Sequence, residues 1–463
     1  MPELPEVETV RRLLERTVVG KTISSIEVYR NANIDSDFDE FHALLQGKTI
    51  VEVLRKGKVL GFNFDNQYVV TSHLRMEGKY FYNDCHEERS KHDILCFAFT
   101  DGSELVYNDV RKFGHLCLFP YDRYLHESDF AKLGPEPFDI DPKQFHRCLK
   151  RRSGNIKKAL MDQTLISGIG NIYCDETLFA SKLHPLTPAR SISLAKAKEI
   201  IEHAKRILND AIEEGGSTIR SYHPGKGIDG LMQSKLLVYD KPGTPCPRCG
   251  FPLDKIFVDQ RGSTYCPKCQ RNPLSPFVVG VTGPIHSGKS TVSKYLQSKG
   301  FKLFDADNVA HNAYLDAGVK EQIIALLGPK SYQKKKPNTA YIRQIISANQ
   351  HLIKILNAII HPYVTQQAVD FIAKQKPSAN IVLDVPLLFQ SHMDELCQTT
   401  ILVLSGDDHR RERLLNEGRN ADALLSINKG YPVDSIKKKA RFFLYNDSCL
   451  DDLYSTIDSW HLI

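Results

Sequence analysis

The stretch CPKCQRNPLSPFVVGVTGPIHSGKS, from Cys266 to Ser290, restricts the fold more than any other part of the chain. It closes a pair of metal-type cysteines. After the residues Gln270–Pro276 it then opens a buried-type strand that runs into a phosphate-cradling loop. These are different chemistries, so the chain is either one machine with an insert or two machines joined end to end. At 463 residues it exceeds one ordinary core and suggests about two to four domains.

The cysteines come first. Cys246-x2-Cys249 and Cys266-x2-Cys269 present four thiolates in the spacing of a closed, tetrahedral, structural zinc site. Both pairs lie in polar, turn-rich sequence, which disfavours unligated core cysteines. The total of 11 cysteines is odd for a disulfide framework and favours a reducing cytoplasm. Between the pairs, FVDQRGSTYC reads as a hairpin with Arg261 near its tip, either an ordinary exposed arginine or a group placed to meet a phosphate.

Gly283-Pro284-Ile285-His286-Ser287-Gly288-Lys289-Ser290 fits G-x4-G-K-[ST], after a strand and before a helix that Thr291 continues. In such a loop backbone N–H groups cradle the phosphates of ATP. Lys289 reaches the outer phosphates and the Ser290 hydroxyl holds Mg²⁺. NIVLDVP supplies a buried strand ending in Asp384, a carboxylate suited to the same ion.

Elsewhere the hydrophobic period changes along the chain. Val7, Val10, Leu14 and Val18 follow the helical repeat over residues 5–21, with Pro5 near the first turn and Gly20 at the stop. From Thr22 to about Pro120 short alternating runs predict a β-sandwich or barrel, with Asp101-Gly102 as a hairpin turn. LGPEPFDID is a Pro-rich connection into a helical stretch that reaches the Gly215-Gly216 stop. After Pro276, strand-like runs alternate with helices as in a parallel α/β sheet. The basic triplets Lys334–Lys336 and Lys437–Lys439 read as solvated surface.

Hydrophobic content of 41% and charged content of 25% are those of a soluble globular protein. No apolar run approaches the about 18 residues of a membrane span, and the acidic N-terminus does not read as a secretory signal. Charge is unevenly distributed. Residues 1–141 carry 17 Lys and Arg against 25 Asp and Glu, residues 142–275 carry 22 against 12, and residues 276–463 carry 22 against 18. A basic middle segment with a metal knuckle suits a polyanion such as nucleic acid, although a merely solvated basic surface has the same composition.

MPELPEVETVRR, RKGKVL, SHLRMEGKY, NDVRKFG, DQTLISGIGNIYCDETLF and the knuckle, in this order over residues 1–271, resemble the formamidopyrimidine-DNA glycosylase family. Leu4 resembles that branch rather than the related endonuclease VIII branch. The resemblance implies an N-terminal helix plus β-sandwich catalytic domain (1–135), a helical helix-two-turn-helix DNA-binding domain (136–235) and a zinc-finger hairpin (236–271). It implies a monomeric glycosylase part acting on double-stranded DNA that contains oxidised purines. After removal of Met1, Pro2 would offer a secondary amine to a sugar C1′. A helix N-terminus favours the neutral amine, while Glu3 and Glu6 oppose that. By the same resemblance Glu3 moves protons on the opening sugar, Lys58 donates a proton in strand cleavage, and Arg261 grips phosphate and assists the second elimination. Met76, Arg111 and Phe113 match the family residues that fill the gap left by a flipped base. His92 and Asn171 resemble the family's phosphate contacts, and the loop Gly215–Gly230 resembles the segment that closes over the lesion. Without the resemblance, Glu3 and Lys58 would read as surface charges, and Met76 and Phe113 as core.

The segment 277–463, with FDADNVAH, IIHPYV and DVPLLF, resembles dephospho-coenzyme A kinases, α/β P-loop enzymes that phosphorylate the ribose 3′-hydroxyl of dephospho-CoA. The match makes Asp307 the base, with Asp305 nearby, and leaves His361 as a helix-end hydrogen-bonder or a ligand contact. It departs from the family at Pro284 and His286, where glycines are usual, at Gln390 in place of Glu, and in a lid where Ser426 and Gly430 stand near an expected Arg and Gln. Arg411, Arg413 and Arg419 remain as phosphate clamps. Three readings follow: a glycosylase/AP lyase fused to an active kinase, the same glycosylase carrying an impaired nucleotide-binding module, or one ATP-driven DNA-processing machine. The last lacks further ATPase motifs.

Overall fold

In the computed structural model of the chain, the described residues are 2–217, 231–334, 336–418, 421–422, 425, 431–460 and 462. The backbone divides into two compact units, Met1–Arg248 with Leu253–Gln270, and Cys249–Pro252 with Arg271–Ile463.

The first unit opens on the helix Leu4–Val18, whose apolar stripe Val7, Val10, Leu14 and Val18 is at most 1% exposed. The Glu3 N–H donates to the Glu6 carboxylate at 2.8 Å, satisfying a donor that the first helical turn leaves orphaned. Eight strands follow: β1 (Ile23–Val28), β2 (Ile50–Lys56), β3 (Val59–Phe64), β4 (Tyr68–His73), β5 (Lys79–Asn83), β6 (Asp93–Phe99), β7 (Glu104–Asn108) and β8 (His115–Pro120). They form two antiparallel sheets of order β1-β6-β7-β5 and β2-β3-β4-β8. Phe62 of one sheet meets Tyr80 of the other edge to face, with ring centroids 5.3 Å apart, in a core that also takes in the stripe of the first helix. The alternating pattern thus resolves as a sandwich. One element departs from it: Phe38–Leu45, inside the stretch read as β, is a helix started by Asp37, whose side chain accepts the Glu40 N–H.

A helical part follows, built from Pro142–Lys150, Ile156–Met161, Asn171–Ala180 and Leu194–Glu213 around Phe145, Ile166, Ile169 and Tyr173. Asp141 caps the first of these through the N–H groups of Lys143 and Gln144, with Pro142 at the first helical position. Leu194–Glu213 ends at Gly215 and Gly216, both at positive φ as the double-Gly stop predicts. Most of the loop Gly215–Gly230 lies outside the described residues. The strands Asp254–Val258 and Arg261–Tyr265 pair across Asp259 and Gln260. Those two residues have φ of 47° and 63°, the mirror-image turn that suits a tight hairpin.

In the second unit five parallel strands run in the order Lys302–Asp305, Asn380–Asp384, Phe277–Thr282, Thr399–Leu404 and Phe442–Tyr445. The central strand is buried throughout, as the unbroken FVVGVT run requires. Register aligns Asp305 with Asp384, and Asp384 with Val281 just before the phosphate loop, so the acidic side chains cluster at the carboxyl ends of the strands. His361 lies within the helix Gln350–Ala373, ahead of the internal Pro362, and not at a helix end as the sequence suggested. Burial holds its imidazole below the ordinary value.

Candidate active sites

The chain start is fastened to a turn near residue 170. The Leu4 N–H donates to the Gly168 carbonyl at 3.0 Å, and Pro2 and Glu3 are buried. The Glu3 carboxylate sits on the N-terminus of Asn171–Ala180 and accepts N–H groups from Gly170 at 2.7 Å, Ile172 at 2.9 Å and Tyr173 at 3.3 Å. A helix start is a natural seat for an anion. Lys58, also buried, donates its Nζ to the Ile169 carbonyl at 2.9 Å. Burial raises the Glu3 carboxyl above its ordinary value against the opposing charge of Lys58. The same burial lowers the Lys58 ammonium, and Arg261 pushes it further down while Glu3 and Glu6 oppose. Glu3, Lys58 and Arg261 therefore share one electrostatic environment.

Two supports of this site, the contacts of Glu6 and Gln163, were not read from the sequence. Glu6 accepts the Ser217 N–H at 2.7 Å and the Tyr173 hydroxyl at 2.6 Å. Gln163 braces the turn, donating to the Ile169 carbonyl at 2.7 Å and accepting the Gly168 N–H at 2.9 Å. Gly170 leaves no room for a side chain, since a Cβ there would stand 2.3 Å from the Glu3 Cδ. Gly170→Ala is therefore expected to displace Glu3 and to cost about 1–3 kcal/mol, seen as a lowered urea midpoint at unchanged slope.

The residues expected to face a DNA duplex occupy neighbouring turns. Met76 lies in the β4–β5 turn and Phe113 in the β7–β8 turn, 37% and 57% exposed, which rules out core roles for both. The Arg111 guanidinium lies 5.1 Å from the Phe113 ring centroid. Asp109, fully buried, folds this turn by accepting the N–H groups of Arg111, Phe113 and Gly114 at 2.9, 2.9 and 2.7 Å. The Asp109 N–H in turn donates to the His92 carbonyl at 3.0 Å, tying the β5–β6 turn to the same place.

The zinc-type hairpin is anchored from below. Lys157 and Asp175, each with a side chain 1% exposed, form an ion pair at 2.8 Å. Asp175 also accepts the Ser263 hydroxyl at 2.6 Å and the Thr264 N–H at 2.9 Å. The Gly262 carbonyl accepts Lys157 Nζ at 3.1 Å and Asn171 Nδ2 at 3.0 Å. The Asn171 amide is thus engaged in placing the residue after Arg261. Cys246, Cys249, Cys266 and Cys269 bring their sulfurs within 4.8 Å of one another. A tetrahedral ion with Zn–S bonds of about 2.3 Å needs sulfurs about 3.8 Å apart, so the set fits. The Arg248 N–H points at the Cys246 sulfur at 3.4 Å and the Cys269 N–H at the Cys266 sulfur at 3.3 Å, donors that suit thiolates.

In the second unit the loop Gly283–Lys289 bends through φ of 152° at Gly283, 58° at His286 and 96° at Gly288. Lys289 Nζ donates to the Pro284 carbonyl at 3.1 Å. Burial lowers its ammonium, with Asp384 and Asp307 opposing, while burial pushes the Asp384 carboxyl up to about 6 against Lys289. The sequence made Asp307 the base with Asp305 nearby, and in the structure the two carboxylates have different surroundings. Asp305 is the N-cap of Ala306–Ala313, accepting the Asn308 N–H at 3.0 Å, whereas Asp307 responds chiefly to burial and to Lys289. Of the three proposed clamps, Arg411 pairs with Asp422 at 2.6 Å on the surface and Arg419 lies outside the described residues, as do Ser426 and Gly430. Arg413 meets the loop through its backbone, donating to the His286 carbonyl at 3.2 Å. Gln390 is exposed.

Family models match the chain in succession: the formamidopyrimidine-DNA glycosylase N-terminal domain over residues 1–116, the formamidopyrimidine-DNA glycosylase H2TH domain over 133–223, the zinc finger found in FPG and IleRS over 243–272, and dephospho-CoA kinase over 277–452. The formamidopyrimidine-DNA glycosylase of Ligilactobacillus salivarius is 46% identical over 272 residues, which is 58% of this chain and 99% of that protein. That of Exiguobacterium sibiricum is 47% identical, covering 59% of this chain and 100% of that protein. Among solved structures, the Lactococcus lactis Fpg in complex with abasic-site DNA is 42% identical, with a TM-score of 0.56, covering 58% of this chain and 100% of that one. A Lactococcus lactis FPG mutant bound to Fapy-dG containing DNA matches equally well. On these whole-length matches the chain belongs to the formamidopyrimidine-DNA glycosylase family, and it carries a dephospho-CoA kinase domain after its zinc finger.

Proposed function

We propose that the chain is a bifunctional enzyme. Its first part is a DNA glycosylase and AP lyase that removes oxidised purines such as 8-oxoguanine and formamidopyrimidine from double-stranded DNA. Its second part transfers the ATP γ-phosphoryl to the 3′-hydroxyl of dephospho-CoA. The observation that carries the first activity is the seat of Glu3 on three backbone N–H groups, directly after Pro2.

In this reading the Pro2 amine attacks C1′ of the damaged nucleotide and the base departs with the glycosidic bond; opening of the C1′–O4′ bond then leaves an iminium. Glu3, buried and with a raised carboxyl, takes and returns protons at the opening sugar. Lys58, its ammonium lowered, donates a proton readily during β- and δ-elimination, and Arg261 holds the neighbouring phosphate. Met76 and Phe113 wedge into the stack, Arg111 bonds the orphaned base, and His92 takes a backbone phosphate. Asn171 serves by positioning the hairpin. Zinc on the four cysteines fixes the hairpin and enters no chemical step. The test is borohydride trapping on oxidised-guanine DNA: the wild type cross-links and Pro2→Gly does not. Equal trapping by both overturns the Schiff base.

For the second activity, Lys289 and the loop N–H groups bind the ATP phosphates, Ser290 and Asp384 hold Mg²⁺, and Asp307 accepts the hydroxyl proton. Because the Asp384 carboxyl is pushed up to about 6, it protonates as pH falls through that value. Mg²⁺-dependent nucleotide affinity is then expected to decline below about pH 6, and titration calorimetry across pH 5–8 checks this. A second reading, an impaired nucleotide module, is favoured by Pro284, which lacks one loop N–H, and by the Glu417 carboxylate 3.7 Å from His286 in that loop. Incubation with ATP, Mg²⁺ and dephospho-CoA decides: CoA supports the kinase, and ATP binding without CoA supports the impaired module.

A further inference from the structure

Anion-binding loops work because successive backbone N–H groups converge on one point. Each peptide plane carries its carbonyl opposite its N–H, so the N–H groups converge only if the carbonyls are held facing away. Glycines usually make such a path easy. Here Pro284 removes one N–H, and His286 sits at φ 58°, a conformation that costs a non-glycine residue about 1 kcal/mol or more.

What holds this loop is a row of side-chain donors on consecutive carbonyls. Arg410 Nε donates to the Ile285 carbonyl at 2.9 Å. Arg413 donates to the His286 carbonyl at 3.2 Å. Asn446 Nδ2 donates to the Ser287 carbonyl at 3.0 Å. All three come from segments more than a hundred residues further along the chain. They also brace one another: Arg413 bonds the Asn446 carbonyl at 2.5 Å and the Ser405 hydroxyl at 3.3 Å, while the Asn446 N–H is fixed to the Leu404 carbonyl at 2.7 Å. Asn446 is only 5% exposed. It stands so close to the loop that a Cβ on Gly288 would lie 1.9 Å from its Nδ2, so Gly288 leaves room for this amide as well as adopting positive φ.

We infer that Arg410, Arg413 and Asn446 are positioning residues that pre-shape the phosphate loop by holding the carbonyls of Ile285, His286 and Ser287, and so aim the N–H groups of His286 and Gly288 at a polyphosphate. The Ser287 N–H and Lys289 Nζ share the Pro284 carbonyl at 3.3 and 3.1 Å, two donors that a phosphate oxygen takes over when it binds. This rests on the proposal that the loop binds ATP. It goes beyond it by assigning affinity for the phosphate chain to three residues that need not touch the nucleotide.

The test uses the full chain, whose base-release activity on lesion DNA serves as an internal control that the protein is intact. MgATP and inorganic tripolyphosphate are titrated by calorimetry into wild type, Asn446→Ala, Arg410→Ala and Arg410→Lys. Asn446→Ala is expected to weaken both ligands about tenfold or more and to a similar degree, since one orphaned carbonyl loosens a loop that both anions use. Arg410→Lys, which keeps a cationic donor, is expected to recover most of what Arg410→Ala loses. Should Arg410→Ala unfold the second unit, Asn446→Ala and Arg410→Lys still carry the comparison. Wild-type affinity that survives Asn446→Ala overturns the positioning role alone. So does a loss confined to ATP, which places the effect at adenosine. A wild type that binds neither anion overturns the nucleotide reading itself.

Discussion

Glu3→Gln is expected to lower the rate of base release by about 10²- to 10⁴-fold, the range for removing a general acid–base group from the reacting centre. The substitution changes no volume, so the effect is one of protons and hydrogen bonds. Both Glu3 oxygens accept N–H groups, from Gly170 and Tyr173 on one and from Ile172 on the other. Glutamine keeps one acceptor and turns an NH₂ toward backbone donors, leaving at least one buried N–H unmet at about 1–3 kcal/mol. Some stability is therefore lost, and activity must be measured where the variant is folded and still binds DNA. The pH profile separates the two effects. The Glu3 carboxyl is raised by burial, so the wild-type acid limb should lie above that of an ordinary glutamate, and Glu3→Gln should lose that limb. A purely structural loss lowers the whole profile without changing its shape.

Lys289→Ala is expected to reduce CoA formation about 10²- to 10³-fold or more while leaving base release unchanged. Lys289 is the cation that interacts with both Asp384 and Asp307, and both carboxyls are already raised by burial with Lys289 as the opposing charge. In the proposed mechanism its removal costs a phosphate ligand and also takes away the charge that opposes burial at both acids. The effect should exceed that of neutralising either acid alone. Single-turnover transfer from labelled ATP measures it, and a parallel lesion-DNA assay on the same preparation shows whether the first unit is untouched.

Much of this was legible in the sequence where the signal is local. The 3.6-residue stripe of Leu4–Val18, the alternation of the sandwich strands, the unbroken apolar FVVGVT and the two cysteine pairs each report a periodicity or spacing that short-range sterics enforce. Short elements carried less: Phe38–Leu45 declares itself only through Asp37, and Phe442–Tyr445 is four residues long at the edge of its sheet. The supports of the two sites were not legible at all. Glu6 reaches Tyr173 and Ser217, Asp175 reaches Ser263, and Asn446 reaches Ser287, contacts between residues 88 to 211 positions apart. A charged residue on an amphipathic helix carries no mark of such a partner. His361, open in the sequence between a helix-end hydrogen-bonder and a ligand contact, lies inside a helix that continues through Pro362 without that backbone donor.

The central claim is that one chain holds two separable enzymes. One purified preparation assayed for both products, release of 8-oxoguanine from duplex DNA and conversion of dephospho-CoA to CoA, tests it directly, with Pro2→Gly and Lys289→Ala alongside. The account predicts both products from the wild type, loss of base release alone in Pro2→Gly and loss of CoA alone in Lys289→Ala. A wild type that binds ATP yet makes no CoA, or whose ATP hydrolysis rises on adding DNA, contradicts it.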